Sequence, residues 1–228
     1  TARGAEILRH ARLIANQAEA IAALGATGDV AFTTYRIATL DVVASEILAP
    51  SLASVLAAHP ALRVQIQVSA DSINFSRWEA DLAVRLTEPE RGDFLVSRVG
   101  ELAMVFVEPR GGSTAQTMVC AFPDGFDPSP ESAFLDAQGC KESARCLTAS
   151  FATVKAVVEA GGACGILPAI MCDGFLARGD RVTPLPEPRQ AYLLLQPHLK
   201  FDAEARHLIN WIRLAFAVAT RNSEAATS

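Results

Sequence analysis

The sequence predicts an α/β fold in two parts, preceded by a long helix at the amino end. In the first half, strand candidates alternate with helical segments, namely VAFTTYRIA, LRVQIQVS and DLAVRL, with LVSRV and LAMVFVEP after them. The stretch PRGGSTAQ breaks this pattern, and a second, shorter α/β series follows it. Strand–helix–strand order is typical of βαβ units on a mainly parallel sheet, so we expect two Rossmann-like subdomains.

The segments between the strands carry helical periodicity. In TLDVVASEILAPSLASVLAAHP, Thr39 or Asp41 can cap a helix, and Pro50 suits the first turn of a continued helix. In the second series, PESAFLDA and FATVKAVVEAG predict helices between the strands TMVCAF, ARCLT, GGACGILP and QAYLLLQP. GGACGILP also leads into a helix that begins at Pro168. The last helix, capped by Asp202, is long enough to close the structure back onto the first half.

The amino-terminal helix carries a heptad seam of apolar residues. The spacing 4, 3, 4, 3 joins Ile7, Ala11, Ile14, Ala18 and Ile21. A seam of small residues favours close helix–helix contact, so we expect this helix to pair with a second chain. An ordinary amphipathic helix lying on its own domain is the alternative.

Composition excludes several classes of protein. The chain of 228 residues is 50% hydrophobic and 20% charged, and its net charge of −5 argues against wrapping nucleic acid by itself. No apolar run approaches the roughly 18–20 residues needed to span a bilayer. The five cysteines include no CxxC pair, and we expect reduced thiols in the cytoplasm. A regulatory disulfide between Cys140 and Cys146 remains open.

Residues for catalysis or metal binding are not evident. The four histidines lie far apart, and none has a Cys, Asp or Glu at the spacing of metal ligands. GGACG lacks the Lys-Ser/Thr of a phosphate loop, and no GxSxG nucleophile motif is present. We therefore expect no enzyme activity, no bound metal and no cofactor.

Ligand binding is better supported, because polar residues follow several predicted strands. In open α/β sheets, ligands bind beyond the carboxyl ends of the strands, near helix amino termini. Hydroxyls, helix amides and one Arg suit a small carboxylate-bearing molecule. The alternatives are plain N-caps for each Ser or Thr, and pairing of the Arg with Glu79 or Glu88. The residues that carry the expectation are six, Thr39, Leu40, Ser72, Arg85, Thr148 and Ser150, together with Asp41 and Asp71, which lie next to them after the first and second strands.

Four motifs in order resemble the LysR-type transcriptional regulators without their DNA-binding domain. TARGAEILRHARLI is similar to the entry into the family's linker helix, and LAPSLASVLAAHPALRVQIQV to its helix–Pro–helix and strand. EADLAVRL is similar to the Asp-Leu-Ala-Ile/Val strand, and VVEAGGACGILP to the Val-x-x-Gly-x-Gly-Ile stretch of the second subdomain. One segment, EPRGGSTAQTMVCAFPDGFDPSPES, departs from the family pattern. At this place the family often has a His-Pro-Leu stretch and a longer segment before the second subdomain.

The resemblance implies an effector-binding domain of the type 2 periplasmic-binding-protein-like fold, with two subdomains around a cleft. It implies a linker and dimerisation helix over 1–26, subdomain I over 27–106 and 197–221, subdomain II over 107–196, and a disordered tail over 222–228. The effector positions of the family map onto the six residues above, with Phe122 and Ile166 as apolar walls.

The same resemblance implies partners and a location. We expect a cytoplasmic homodimer or homotetramer that contacts DNA only through the missing amino-terminal domain, binds a small anionic effector, a carboxylate or another anion, and has no membrane contact. A solute-binding protein of a transport system shares the cleft architecture and is the alternative.

Overall fold

The computed structural model describes residues 32–69, 80–89, 92–111, 118–121 and 129–227, and five positions of the amino-terminal helix, Gly4, Ile7, Ala11, Ile14 and Ala18. Ten strands lie in this part of the chain. They are β1 Thr33–Thr39, β2 Leu62–Val68, β3 Leu82–Arg85, β4 Leu95–Leu102, β5 Met104–Glu108, β6 Met118–Ala121, β7 Ala144–Leu147, β8 Ala163–Pro168, β9 Arg181–Pro184 and β10 Arg189–Leu195. The α-helices are α1 Ala49–Ala58, α2 Pro130–Ala137, α3 Phe151–Glu159, α4 Asp173–Arg178 and α5 Ala203–Thr227.

The strands form two five-stranded sheets. The first has the order β2-β1-β3-β10-β4, and the second has the order β7-β6-β8-β5-β9. In each sheet the first three strands are parallel, and the last two pair antiparallel. Both sheets are therefore mixed, because each contains one strand, β10 in the first and β5 in the second, that directly follows a crossing and runs antiparallel to both of its neighbours.

The chain crosses twice between the sheets, at positions that differ from the expected ones. Strand β4 ends at Leu102 and β5 begins at Met104, so the first crossing lies at Ala103. The return lies between Pro184 and Arg189. These positions differ from the boundaries expected near Val107 and Gln196. The first crossing lies inside one continuous hydrophobic run, LVSRVGELAMVFVE, whereas the return lies in the proline-rich segment LPEP before β10. Subdomain I comprises the described residues up to 102 and from 189, and subdomain II those from 104 to 184.

The helix after β1 continues through a proline, as its sequence predicts. A π-helical segment, Val43–Leu48, leads into α1, and Pro50 stands in the first turn of α1. The buried face of the π-helical segment consists of Val43, Ile47 and Leu48. A proline in a first turn removes no hydrogen bond that the helix needs.

The last helix, α5, closes subdomain I. Asp202 Oδ1 accepts a hydrogen bond from the Ala205 N–H at 2.9 Å, which confirms the predicted cap. The helix packs closely on β4, since a Cβ built on Gly100 would lie 2.7 Å from the Cβ of Phe216. The helix extends to Thr227, and the disordered tail expected over 222–228 stays a prediction. The segment RNSEAAT contains neither Gly nor Pro to end the helix.

The described positions of the amino-terminal helix are helical and exposed. Ile7 is 64% exposed and Ile14 is 69% exposed. Ala11 and Ala18 are exposed as well, and Ile21 lies outside the described residues. These residues are the predicted heptad seam, so the seam does not pack on this chain at the described positions.

Candidate functional site

The carboxyl ends of three parallel strands meet at one edge of the first sheet. Strands β1 and β3 are neighbours, and Thr39 and Arg85 are their last residues. The Ser69 N–H, directly after β2, donates to the Thr39 carbonyl at 2.9 Å. Arg85 Nη1 donates to the Ser69 carbonyl at 3.3 Å. Topology thus brings together two residues that the sequence predicted, and their edge is where open α/β sheets bind ligands.

Thr39 is fully buried, and its side chain has an unmet hydrogen-bonding capacity. Its exposed fraction is 0%, and its Oγ1 has no hydrogen-bond partner within the described part of the chain. A buried hydroxyl left unpaired costs about 1–3 kcal/mol. A ligand or a water molecule that paired with this hydroxyl would recover that free energy.

Arg85 supplies the positive charge at this edge. Burial lowers the pKa of its guanidinium, because the charged form loses water. A guanidinium stays protonated at neutral pH even so, since its ordinary pKa lies above 12. A partly desolvated cation of this kind favours an anion that can accept its N–H groups.

The facing edge of subdomain II is the amino terminus of α3. The Thr148 N–H donates to the carbonyl of Ala121, the last residue of β6, at 3.1 Å. The Ser150 N–H donates to Thr148 Oγ1 at 3.2 Å, and Ser150 Oγ accepts from the Thr153 N–H at 3.2 Å. Ser150 is therefore the N-cap of α3, which agrees with the N-cap alternative for this Ser. The Thr148 side chain accepts from the Ser150 N–H and so orients Ser150.

The two edges are joined directly by Asp41. Ser150 Oγ donates to Asp41 Oδ2 at 2.7 Å, and the Ala152 N–H donates to the same oxygen at 3.4 Å. The other carboxylate oxygen, Oδ1, accepts from the Val42 N–H at 2.7 Å. Asp41 follows Thr39 by two residues, so the predicted residues of both subdomains lie near one inter-subdomain contact. The sequence predicts Asp41 as a possible helix cap next to Thr39 and Leu40, and its position between the first strand and the first helix is the signal for a role at this edge.

The remaining predicted residues lie apart from this contact or outside the described residues. Leu40 is 9% exposed, and its carbonyl accepts from the Ala44 N–H at 3.0 Å at the start of the helix. Ile166 lies inside β8 opposite Phe106, is 2% exposed, and belongs to the hydrophobic core. Its role as an apolar wall stays a prediction. Ser72 and Phe122 fall outside the described residues.

A second inter-subdomain contact is a buried ion pair that the sequence did not indicate. Arg189, the first residue of β10, binds Glu131 of α2 through Nε–Oε1 and Nη2–Oε2 contacts, both of 2.8 Å. The two side chains are 9% and 3% exposed. Arg189 Nη1 also donates to the Leu86 carbonyl at 3.4 Å and to Thr87 Oγ1 at 3.5 Å. The guanidinium thus links the end of β3 in subdomain I to a helix of subdomain II.

The cysteines are free thiols in this structure. Cys146 lies opposite Cys120 in the register of β7 and β6, whereas the Cys140 thiol donates to the Gln138 carbonyl at 3.4 Å. Burial raises the pKa of the Cys120 thiol to about 12, and the neighbouring Cys146 thiol adds to this shift. A thiol of such high pKa is a weak nucleophile at neutral pH.

Metal-binding clusters and membrane-spanning helices are both absent from the described residues. They contain no group of three His, Cys, Asp or Glu side chains arranged to hold a metal ion. None of their helices combines the length and apolar character needed to cross a bilayer.

The architecture is that of a small-molecule-binding domain of the periplasmic-binding-protein-like kind. Two α/β subdomains are joined by two crossings, and their facing edges carry hydroxyls, a helix amino terminus and an Arg. The chain belongs to the LysR substrate binding domain family, whose model matches residues 28–217. This family membership confirms the resemblance for the three motifs that lie within residues 28–217, whereas TARGAEILRHARLI lies outside the matched range. The matched part corresponds to the effector-binding domain of the LysR family.

A relative of known function is also a transcriptional regulator. The Mau operon transcriptional activator of Paracoccus denitrificans is 36% identical over 186 residues, which cover 80% of this chain. The chain spans 65% of that relative's length. This relative is a regulator, which favours the regulator over the transport solute-binding protein.

Solved structures show the same fold. The regulatory domain of CrgA, a LysR-type transcriptional regulator from Neisseria meningitidis, has a TM-score of 0.67 at 16% identity, covering 81% of this chain and 99% of that one. The effector domain of AmpR from Pseudomonas aeruginosa has a TM-score of 0.67 at 14% identity, covering 83% and 98% of the two chains.

Proposed function

We propose that this domain binds a small anionic effector at the facing edges of its two subdomains, and that binding changes how a full-length regulator holds its DNA-binding domains. The observation that carries the anionic class is the partly buried Arg85, which ends the strand next to that of Thr39, whose hydroxyl has no partner within the described part of the chain. A guanidinium and a hydroxyl both donate hydrogen bonds that a carboxylate can accept. Thr148 and Ser150 shape the opposite wall, where the amino terminus of α3 adds a positive partial charge.

The effector acts only if it favours one arrangement of the subdomains. A ligand shifts an equilibrium by the difference between its affinities for the two states. The proposed anion touches both subdomains, so its contacts depend on their relative placement. That dependence is the physical basis of the allosteric coupling, and it requires no catalytic step.

Thermal-shift screening tests the anionic class. Aliphatic dicarboxylates, amino acids and aromatic carboxylates, including succinate and benzoate, are compared with their carboxamides. An acid that binds the folded state stabilises it by about 2.7 kcal/mol at a hundredfold excess over its Kd. We expect at least one acid to raise Tm while its carboxamide does not. Equal stabilisation by acids and carboxamides, or none by any acid, would contradict the proposal.

Self-association is proposed through the amino-terminal helix. The exposed Ile7 and Ile14 would pack against the same seam of a second chain, forming the homodimer from which larger oligomers assemble. In that arrangement, DNA is contacted through a further domain attached to this helix, because the chain's own net charge of −5 does not favour phosphate binding.

Replacing Ile7 and Ile14 by Glu is expected to dissociate the dimer at micromolar concentration, because carboxylates at seam positions repel one another across the helix pair. Sedimentation velocity measures the mass in solution. Gln17→Glu, a polar position outside the predicted seam, is the matched control and should leave the mass unchanged. An unaltered mass in the Ile7→Glu, Ile14→Glu variant would rule the seam out as the contact.

A further inference from the structure

We infer that Asp41 is an internal latch: its carboxylate occupies the amino terminus of α3, and an acidic effector binds by displacing it. This inference rests on the proposed function for the identity of the effector. The contact itself is independent of it, because the latch is a set of distances between described residues.

The contact joins parts of the chain that have no local reason to meet. Asp41 belongs to subdomain I and Ser150 to subdomain II, 109 residues apart in sequence. Ser150 Oγ uses its proton to bind Asp41 Oδ2 at 2.7 Å and accepts from Thr153 N–H at 3.2 Å. The Ala152 N–H, at 3.4 Å from the same Oδ2, completes the contact. One carboxylate therefore takes the place that an anionic ligand takes at a helix amino terminus.

The latch is weaker than the Arg189–Glu131 contact between the subdomains. Its two hydrogen bonds are made by partly exposed groups, and one of them is long. The Arg189–Glu131 pair is bidentate, buried, and anchored to two further oxygens of subdomain I. Opening the cleft therefore breaks the contact at Asp41 while the pair at Arg189 holds, so the first is a latch and the second is a fixed point.

The latched arrangement also restricts the proposed site. Thr39 lies two residues before Asp41 and has no exposed surface while the latch is closed. An effector can reach the Thr39 hydroxyl only if the surrounding structure moves. Release of Asp41 from Ser150 breaks an inter-subdomain contact two residues from Thr39, and an acid that takes over the Ser150 and Ala152 donors compensates for it.

Asp41→Ala and Asp41→Asn test the latch by two readouts. Without ligand, we expect faster amide hydrogen exchange in peptides that cover residues 148–155, because the Ala152 N–H loses its acceptor. With succinate or benzoate, we expect Asp41→Ala to bind the acid about five- to twentyfold more tightly than wild type, since the competing charge is gone.

Asp41→Asn keeps the side-chain shape and should show a smaller gain in acid affinity. Glu46→Gln, an equal charge change on the same helix, is the control and should match wild type in both readouts.

The outcomes separate this inference from the proposed function. Unchanged exchange in Asp41→Ala overturns the latch. Faster exchange with equal or weaker acid binding than wild type overturns the displacement, while the anionic site stands because wild type still binds acid. Faster exchange with no acid bound by either protein overturns the displacement together with the proposed anionic effector.

Discussion

Replacing Arg189 by alanine is expected to lower the free energy of unfolding by about 3–5 kcal/mol, because the substitution leaves the Glu131 carboxylate buried without its partner. The pair is bidentate, and its side chains are 9% and 3% exposed. The Leu86 carbonyl and Thr87 Oγ1 lose a donor as well. Urea unfolding followed by circular dichroism measures the loss.

The exposed ion pair between Arg98 and Glu101 is the matched control. Its N–O distance is 2.9 Å, close to that of the buried pair, but the side chains are 59% and 39% exposed. Arg98→Ala should therefore change the free energy of unfolding by no more than about 1 kcal/mol. Removing both partners with Arg189→Met and Glu131→Leu should restore much of the stability lost in Arg189→Ala. Equal losses in Arg189→Ala and Arg98→Ala would show that the buried pair does not hold the subdomains.

Arg85→Met combined with Thr39→Val is expected to abolish ligand-induced thermal stabilisation by an acid. Loss of a charge-assisted hydrogen bond from Arg85 should weaken binding by about 1.5–3 kcal/mol, and loss of the hydroxyl by about 0.5–1.5 kcal/mol. Thermal shift and calorimetric titration with an acid that stabilises wild type measure both effects.

Thr39→Val alone separates binding from folding. Its hydroxyl has no partner within the described part of the chain, so a methyl group in its place should leave the free protein equally or more stable. Ligand affinity should nevertheless fall. Thr34→Val, at an exposed position of the same strand, is the control and should change neither property. A Thr39→Val protein that is destabilised and binds the acid with wild-type affinity would contradict the assignment.

The elements of secondary structure could be predicted because their signals are local. The segment PESAFLDA predicted α2 with its bounds, and Asp202 predicted the cap of α5. The crossings could not be placed in the same way. The run LVSRVGELAMVFVE is hydrophobic on both sides of Ala103, and one residue separates a strand of the first sheet from a strand of the second. Hydrophobic patterning reports burial, but it does not report in which of two cores a residue is buried.

The candidate site was predictable in part, for a related reason. Thr39 and Arg85 could be placed from the rule that parallel strands end at one edge, and the family resemblance supported them. Asp41 and the Arg189–Glu131 pair depend on contacts across 109 and 58 residues, which no spacing in the sequence expresses. In the sequence, such contacts are indicated only by charged residues that lie at the ends of buried strands or helices.

The two crossings also decide how many ways the subdomains can move. They run side by side: the Leu185 N–H donates to the Met104 carbonyl at 2.9 Å, and Arg189 lies opposite Leu102. A pair of strands bonded edge to edge resists stretching and shearing, since either would break its ladder, but it bends readily out of its own plane. We therefore expect the two connections to resist translation of one subdomain against the other and to allow rotation about the joint, so that different ligands of the proposed site would change the same angle between the subdomains.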